Sequence, residues 1–380
     1  MDKIKIGILC ANCYPLFDTN SKAGFGGAEV DLYNLGIYLA ENSKFEVTFY
    51  VGDFGQNENI RYIEDVNLKK IKMFGWTNKT ILQKIIFYSN LIKVLLRSEA
   101  DVILTEMAND MVGWAGLFFK SIKKKRFIHR LASDNDALYD DKAVSGRWLT
   151  HNLYSFGLKK ADIIFSQTEK QKKLLKEHMG FDSEVVPNGF PFKEVNTKEK
   201  SYILWVGRAV ELKRPKLFIE LVKAVPDKDF LMIMPFAGQE TPDGFKEEIQ
   251  KCIYDAKKLN NFKYIEHVPF KEIQTYFNKA ALLVNTSEYE GFPNTFIQAC
   301  IGSTPIASLD VNPDSFISKN EVGICCDGDI NKLIDFTNNL NDNNIKLYGA
   351  NANKYFKDNH SIEVMGKPYE EAILSFFPNH

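Results

Sequence analysis

Two doubly wound, Rossmann-like α/β domains facing a central cleft are predicted by three observations. The chain has 380 residues, more than one hydrophobic core usually supports. Short runs rich in Ile, Val and Phe alternate with longer amphipathic stretches, the pattern of parallel strands covered by helices on both faces. The alternation breaks off near residue 190 and then starts again.

In the first half, residues 4–10, 46–51, 102–105, 127–131 and 163–166 read as strands, with helical patterns over 28–40, 80–97 and 168–178. Val185-Val186-Pro187-Asn188-Gly189 reads as a strand and a turn, and the polar stretch 190–200 is the linker candidate. The second half restarts with strands at 202–206, 229–234, 262–266, 281–285 and 305–308. Helices are expected between them at 212–225, 245–259, 270–279 and 294–301. The Asn-rich run 338–353 reads as a solvated helix or loop. The expected domains are therefore 1–189, the linker 190–200, and 201–360; a final helix over 361–380 can pack back on the first domain. In such folds ligands sit outside the carboxyl ends of the strands, so chemistry is sought there.

Apolar residues make up 45% and charged residues 26%, and the formal charge of −1 gives no general attraction for nucleic acid or anionic lipid. Met1-Asp2-Lys3 leads straight into a strand pattern instead of a secretory leader, and no stretch approaches the roughly 20 apolar residues of a membrane span. A cytoplasmic protein with reduced thiols is expected. Cys10 and Cys13 have the gap of a metal or redox pair, but no second pair or nearby His completes a site.

The most informative stretch runs from Val284 to Cys300. A strand ends near Asn285, a loop with Glu288 and Glu290 follows, and a helix starts near Pro293, a residue suited to a first helical turn. The amides of Asn294, Thr295 and Phe296 are then donors at the positive end of a helix dipole, a site fitted to a diphosphate. Glu290 can accept from sugar hydroxyls, and Gln298 lies about one and a half turns into the helix.

A second loop, Gly207-Arg208-Ala209-Val210-Glu211-Leu212-Lys213-Arg214-Pro215, follows the first strand of the second half. Gly207 permits close approach of a ligand, and Arg208 and Lys213 place two cations at a strand end, where a leaving diphosphate develops charge. A basic surface loop paired with Glu211 is the plain alternative. The third motif, Gly24-Phe25-Gly26-Gly27-Ala28-Glu29, lacks the third glycine of a dinucleotide fingerprint and reads as a glycine-rich cap on the following helix.

These three motifs, in this order and spacing, resemble the GT-B-fold glycosyltransferases, specifically the retaining family 4 (glycosyl transferases group 1) of the surface-polysaccharide type. The resemblance implies that Arg208 and Lys213 bind the donor diphosphate and that Glu290 contacts the transferred sugar. It implies that Gly207, Gly291, Phe292, Pro293, Asn294 and Thr295 border the donor, and that Gly26 and Gly27 approach the diphosphate from the other domain. The implied substrates are a nucleoside-diphosphate sugar and a glycan or lipid-linked acceptor, as for capsule or O-antigen. No cofactor and no metal are expected. The family carries glutamates at both ends of the 290–298 motif, whereas this chain has Gln298. An amide in place of a carboxylate on ribose would weaken nucleotide binding by about 1–2 kcal/mol.

On the acceptor side, Asp134 is the favoured polar contact or base, at the end of the strand carrying His129; that histidine reads equally as a core residue. Trp114, Leu117, Phe118 and Phe119 run into Lys120, Lys123, Lys124, Lys125 and Arg126, and 80–97 offers a second apolar face. Both can dock on an anionic membrane at the inner face of the cell, or simply cover the first sheet. A nucleotide-sugar 2-epimerase and a non-catalytic nucleotide-sugar-binding partner of another transferase are the rival readings.

Overall fold

A computed structural model describes residues 2–18, 21, 23–56, 60–72, 80–138, 148–192, 199–236 and 243–378. The chain divides into unit 1 (Met1–Ser21, Phe25–Pro191 and Ile362–His380) and unit 2 (Lys22–Gly24 and Phe192–Ser361). The division at 191/192 falls within the expected linker, of which 193–198 lie outside the described residues.

The strands of unit 1 are β1 (Ile4–Leu9), β2 (Phe45–Val51), β3 (Ile60–Ile63), β4 (Val66–Lys70), β5 (Val102–Glu106), β6 (Arg126–Arg130), β7 (Ile163–Ser166) and β8 (Glu184–Val185). They form one sheet in the order β3-β4-β2-β1-β5-β6-β7-β8, parallel except for the β3–β4 pair. Strand β5 is buried along its whole length, as a central strand covered on both faces must be. The β3–β4 hairpin was not expected from the sequence. Its turn puts Glu64 and Asp65 at φ 51° and 61°, a conformation usually announced by Asn-Gly, so no turn signature marks it.

Helices Asp110–Trp114 and Trp148–Lys160 press together through glycine: a Cβ on Gly113 would lie 2.4 Å from the Leu153 carbonyl oxygen, and one on Gly157 2.5 Å from that of Val112. Met111, Val112, Ala115 and Phe119 enter the core with Leu91, Leu95, Phe127 and Tyr154. The aromatic run at 114–119 therefore mainly covers the sheet. Of the basic cluster behind it, Lys120 and Arg126 pair with Asp162, and Lys125 with Asp101. Helix Ile81–Arg97 buries Phe87, Leu91 and Leu95 but leaves Leu82, Ile85 and Leu96 exposed.

The terminal helix Ile362–Ser375 belongs to unit 1 and lies on helix Gly27–Glu41. Gly366 sits against Tyr38, where a Cβ would come within 2.2 Å of the ring, and Asn42 Nδ2 donates to Glu370 Oε1 at 2.6 Å. Beneath it, the fully buried Arg130 donates to Asp31 (3.3 Å), Glu106 (3.0 Å), Asn188 Oδ1 (2.6 Å) and the Val186 carbonyl (3.2 Å).

Unit 2 carries β9 (Tyr202–Val206), β10 (Phe230–Ile233), β11 (Phe262–Ile265), β12 (Ala280–Asn285), β13 (Ile306–Ser308) and β14 (Gly323–Cys325). The sheet is parallel throughout, in the order β11-β10-β9-β12-β13-β14. The chain starts in the middle at β9, runs outward through β10 and β11, and returns to β12 on the other side of β9. Strand order reverses between β9 and β12, which opens a crevice at their carboxyl ends. Phe218 of helix Pro215–Ala224 packs 6.3 Å from Trp205 and 5.7 Å from Phe230, centroid to centroid, in the core. At β14, Gly323 has φ 150° and a Cβ would lie 1.8 Å from the Ile306 carbonyl oxygen, so only glycine lets that strand close on β13. The Asn-rich run spans the end of helix Ile330–Asn338, a short turn and the first part of helix Asp342–Asn359, whose N-cap Asn341 accepts from the amides of Asn343 and Asn344.

His129 is a core residue. It is fully buried in β6, with Nδ1 2.8 Å from Thr105 Oγ1 and Nε2 3.4 Å from the Tyr154 hydroxyl, and burial pushes its pKa down to about 3. The unfolded chain takes up a proton near pH 6.5 that the folded chain refuses. Stability from this residue is therefore complete above that pH and is lost as pH falls towards 3. Between pH 7 and pH 5 the loss is expected to be about 2 kcal/mol. Urea midpoints at the two pH values, in wild type and in His129→Asn, should show the difference shrinking in the variant.

Candidate active site

Two loops leave the sheet of unit 2 at its reversal point. The first, 207–214, follows β9 and ends in a short 3-10 turn, Glu211–Lys213; the second, 286–293, follows β12 and leads into helix Asn294–Ile301. Trp205 Nε1 donates to Thr286 Oγ1 at 2.9 Å, and the same hydroxyl donates to the Lys213 carbonyl at 2.7 Å. The Glu288 amide donates to the Leu212 carbonyl at 3.0 Å. The loops are thus sewn to each other and to a core tryptophan.

The seam brings Lys213 and Glu290 together, with Nζ 2.6 Å from Oε2. Asn285 Nδ2 donates to the other carboxylate oxygen at 3.0 Å, while Asn285 Oδ1 accepts from the Ser287 amide at 3.0 Å. Burial alone would raise the Glu290 carboxyl; the Lys213 ammonium and hydrogen bonds from Ser287 and Asn285 outweigh it and hold the carboxyl below its ordinary range. Glu290 is a carboxylate at neutral pH, with its side chain 15% exposed.

Arg208 lies half-buried on the first loop, and Gly207 donates its amide to the Ile233 carbonyl at 3.2 Å. Pro293 is the N-cap (φ −64°, ψ 128°), and the helix begins at Asn294, as expected over 294–301. The Phe296 amide, expected as an open donor, is bonded to the Pro293 carbonyl at 2.9 Å. Fewer amides are therefore open at this helix start than the sequence pattern suggests. The Phe292 ring turns inward, 4.3 Å from the His360 ring and 5.1 Å from that of Phe316, so only its backbone borders the site. Gln298 is 7% exposed, and its carbonyl accepts from Gln274 Nε2 at 2.9 Å.

Sequence reasoning overlooked two participants. Asn285 orients Glu290, and Arg214 donates from Nε to the Thr286 carbonyl at 2.6 Å and from Nη2 to the Ser287 carbonyl at 3.0 Å, and pairs with Asp310. Spacing alone signals neither: Asn285 reaches Glu290 only because the short loop between them folds back, and the partners of Arg214 are remote in the chain.

The remaining candidates lie in unit 1. Gly26 is the N-cap of helix Gly27–Glu41, and its amide donates to Glu29 Oε2 at 2.8 Å. Asp134 opens the 3-10 turn Asp134–Ala137 beyond β6 and pairs with Lys170 at 2.6 Å. Asp136 of the same Asp-Asn-Asp run is buried and takes hydrogen bonds from the amides of Ala132 (2.7 Å) and Ser133 (3.2 Å), a structural use.

The first half of the chain matches the model of glycosyltransferase family 4 over residues 25–193, and the second half matches that of glycosyl transferases group 1 over residues 189–357. The chain belongs to this glycosyltransferase family and has its two-domain GT-B fold. It is 28% identical over 165 residues to a poly(ribitol-phosphate) alpha-N-acetylglucosaminyltransferase of Staphylococcus aureus, a match covering 42% of this chain and 32% of that protein. The chain thus spans about a third of that relative's length. Among solved structures, sucrose-phosphate synthase from Thermosynechococcus elongatus is similar over 100% of both chains, with a TM-score of 0.78 and 13% identity. HepE of Anabaena, solved with UDP and glucose, is similar over 98% of this chain and 100% of that one, with a TM-score of 0.71 and 13% identity.

Replacing Lys213 by Met leaves the burial of Glu290 without its largest opposing charge. Its carboxyl is then expected to titrate above the ordinary carboxylate range instead of below it. Carbon-13 NMR of glutamate-labelled protein reads the change, with Glu290→Gln assigning the signal; an unmoved titration would show that Lys213 does not set the charge of Glu290.

Proposed function

We propose that the protein is a retaining, metal-independent hexosyltransferase. Its donor is a nucleoside-diphosphate sugar and its acceptor a glycan or lipid-linked intermediate of a bacterial surface polysaccharide. The observation that carries this reading is the Lys213–Glu290 pair at the reversal point of the unit 2 sheet, beside the start of helix Asn294–Ile301. A cation for a phosphate and a carboxylate for sugar hydroxyls are held within one hydrogen bond of each other. The transfer of N-acetylglucosamine to poly(ribitol-phosphate) in the name of the S. aureus relative and the UDP and glucose bound by HepE support the substrate classes.

On this reading Arg208 and Lys213 take the diphosphate and stabilise the charge that grows on it as the bond to the sugar breaks. Gly207 and Gly291 let the donor approach the backbone, the first turn at Asn294 and Thr295 faces phosphate, Glu290 orients the sugar, and Gln298 meets ribose. In unit 1, Asp134 is the proposed polar contact for the acceptor. Cations and a helix end replace a metal. Thermal-shift screening with UDP, GDP, ADP and their sugar conjugates should find one series that raises the melting point. Arg208→Ala and Lys213→Ala should each lower kcat/KM for that donor by about 100-fold or more, EDTA should have no effect, and Gln298→Glu should remain active with altered nucleotide affinity. Failure of every nucleotide to bind would overturn the reading, and conversion of donor sugar without acceptor would indicate an epimerase.

We also propose contact with the cytoplasmic membrane face through helix Ile81–Arg97. Its exposed Leu82, Ile85 and Leu96 are flanked by Lys84, Lys93 and Arg97, and the helix contains no acidic residue. Flotation with anionic vesicles should show binding that falls with salt and is lost in Leu82→Ser/Ile85→Ser; equal recovery with neutral vesicles would argue against it.

A further inference from the structure

The backbone of Arg214 lies in the left-handed region, at φ 45° and ψ 52°. Glycine takes this conformation freely, whereas a side chain resists it. An arginine is nevertheless held there, between Lys213 and Pro215, the first residue of helix Pro215–Ala224. Its side chain supplies the reason. Nε donates to the Thr286 carbonyl at 2.6 Å, Nη2 donates to the Ser287 carbonyl at 3.0 Å, and Nη2 pairs with Asp310. Thr286 and Ser287 begin the loop after β12, Asp310 lies two residues beyond β13, and Arg214 closes the loop after β9. One guanidinium thus ties the carboxyl ends of three neighbouring strands. Its planar fork of donors can satisfy two carbonyls and a carboxylate together; an ammonium cannot match that geometry.

Both arms of the tie end at the Lys213–Glu290 pair, since Lys213 directly precedes Arg214 and Glu290 follows Ser287 by three residues. We propose that Arg214 is a positioning residue for the donor site: it fixes loop 286–290 against loop 207–214 so that Lys213 and Glu290 meet. Its effect on turnover rests on the transferase reading above; the tie itself does not.

The test compares Arg214→Gly, Arg214→Lys and wild type. The glycine variant relieves the backbone and removes the fork, so it should fold while amides 286–290 exchange faster. With the donor found by screening, its kcat/KM should fall about 100-fold, as expected for misplaced catalytic groups. Millimolar guanidinium chloride should restore part of that activity, because the free ion can occupy the vacated position. The lysine variant fills that position without the fork, so it should stay slow and resist rescue. Unchanged exchange at 286–290 in the glycine variant would overturn the proposal, and so would unchanged kcat/KM or equal rescue of both variants. Were wild type to turn over no sugar nucleotide, the transferase reading would fail on its own, and amide exchange would still decide whether Arg214 holds the loop.

Discussion

The hydroxyl of Thr286 is the joint on which the candidate site depends. It is fully buried, accepts from the indole of Trp205 and donates to the Lys213 carbonyl. Trp205 is fixed by core packing against Phe218, so the position of a β9 side chain passes through one hydroxyl to the backbone of the next loop. Backbone hydrogen bonds cannot do this alone, because loops beyond strand ends have no ladder to fix them. A side chain that both accepts and donates can join a rigid core to a segment that must stay irregular. The distance between Lys213 and Glu290 is therefore set from below, by the sheet.

Unit 1 fastens its irregular segments with a buried charge. Arg130 holds the Val186 carbonyl and Asn188, the stretch by which the chain leaves β8. Its acidic partners are not all balanced by it: Asp31 and Glu106 share one guanidinium, and among the described residues Glu106 Oε2 has no hydrogen-bond partner. Burial pushes the Glu106 carboxyl well up, against the pull of Arg130, and nearby Asp31 adds to the rise. A carboxyl with one bare oxygen and two carboxylates' worth of charge around a single cation fits the protonated form better than the ionised one. The cluster illustrates how a buried cation fixes geometry even where its net contribution to stability is small.

The parts legible in the sequence are those whose signal is local. The strand–loop–helix from Asn285 to Gln298 was readable because an apolar run, a Gly-Phe-Pro turn and a helical period follow one another within a few residues. Helix Trp148–Lys160 was not, because its packing face is marked by Gly157 as well as by Tyr154 and Leu158, and a glycine weakens the very pattern that reveals a helix. Phe292 was placed at the donor by its neighbours in the chain, yet its ring completes an aromatic cluster with residues of the distant helix Asp342–Asn359 and beyond. Arg214 was invisible for a different reason. Nothing in residue type predicts a left-handed arginine, which is stable only because partners on two other loops repay the strain.

The same geometry gives Gln298 a meaning beyond a lost hydrogen bond. An ammonium has three protons, and Lys213 commits one to Glu290, leaving two directions for phosphate oxygens. On the proposed reading, one cation then bridges the sugar-facing carboxylate and the leaving group, so charge growing on the diphosphate draws directly on the group that orients the sugar. The groups proposed to touch the donor, Arg208, Lys213 and Glu290, sum to one positive charge, since Arg214 and Asp310 offset each other and Glu211 and Glu288 on the same loops are exposed, where water and salt screen them. A second carboxylate at 298 would cancel that remainder where the diphosphate is proposed to bind. On the same reading the amide forgoes a charge-assisted bond to ribose but adds no negative charge beside the diphosphate, so the two effects of this substitution on nucleotide binding oppose each other.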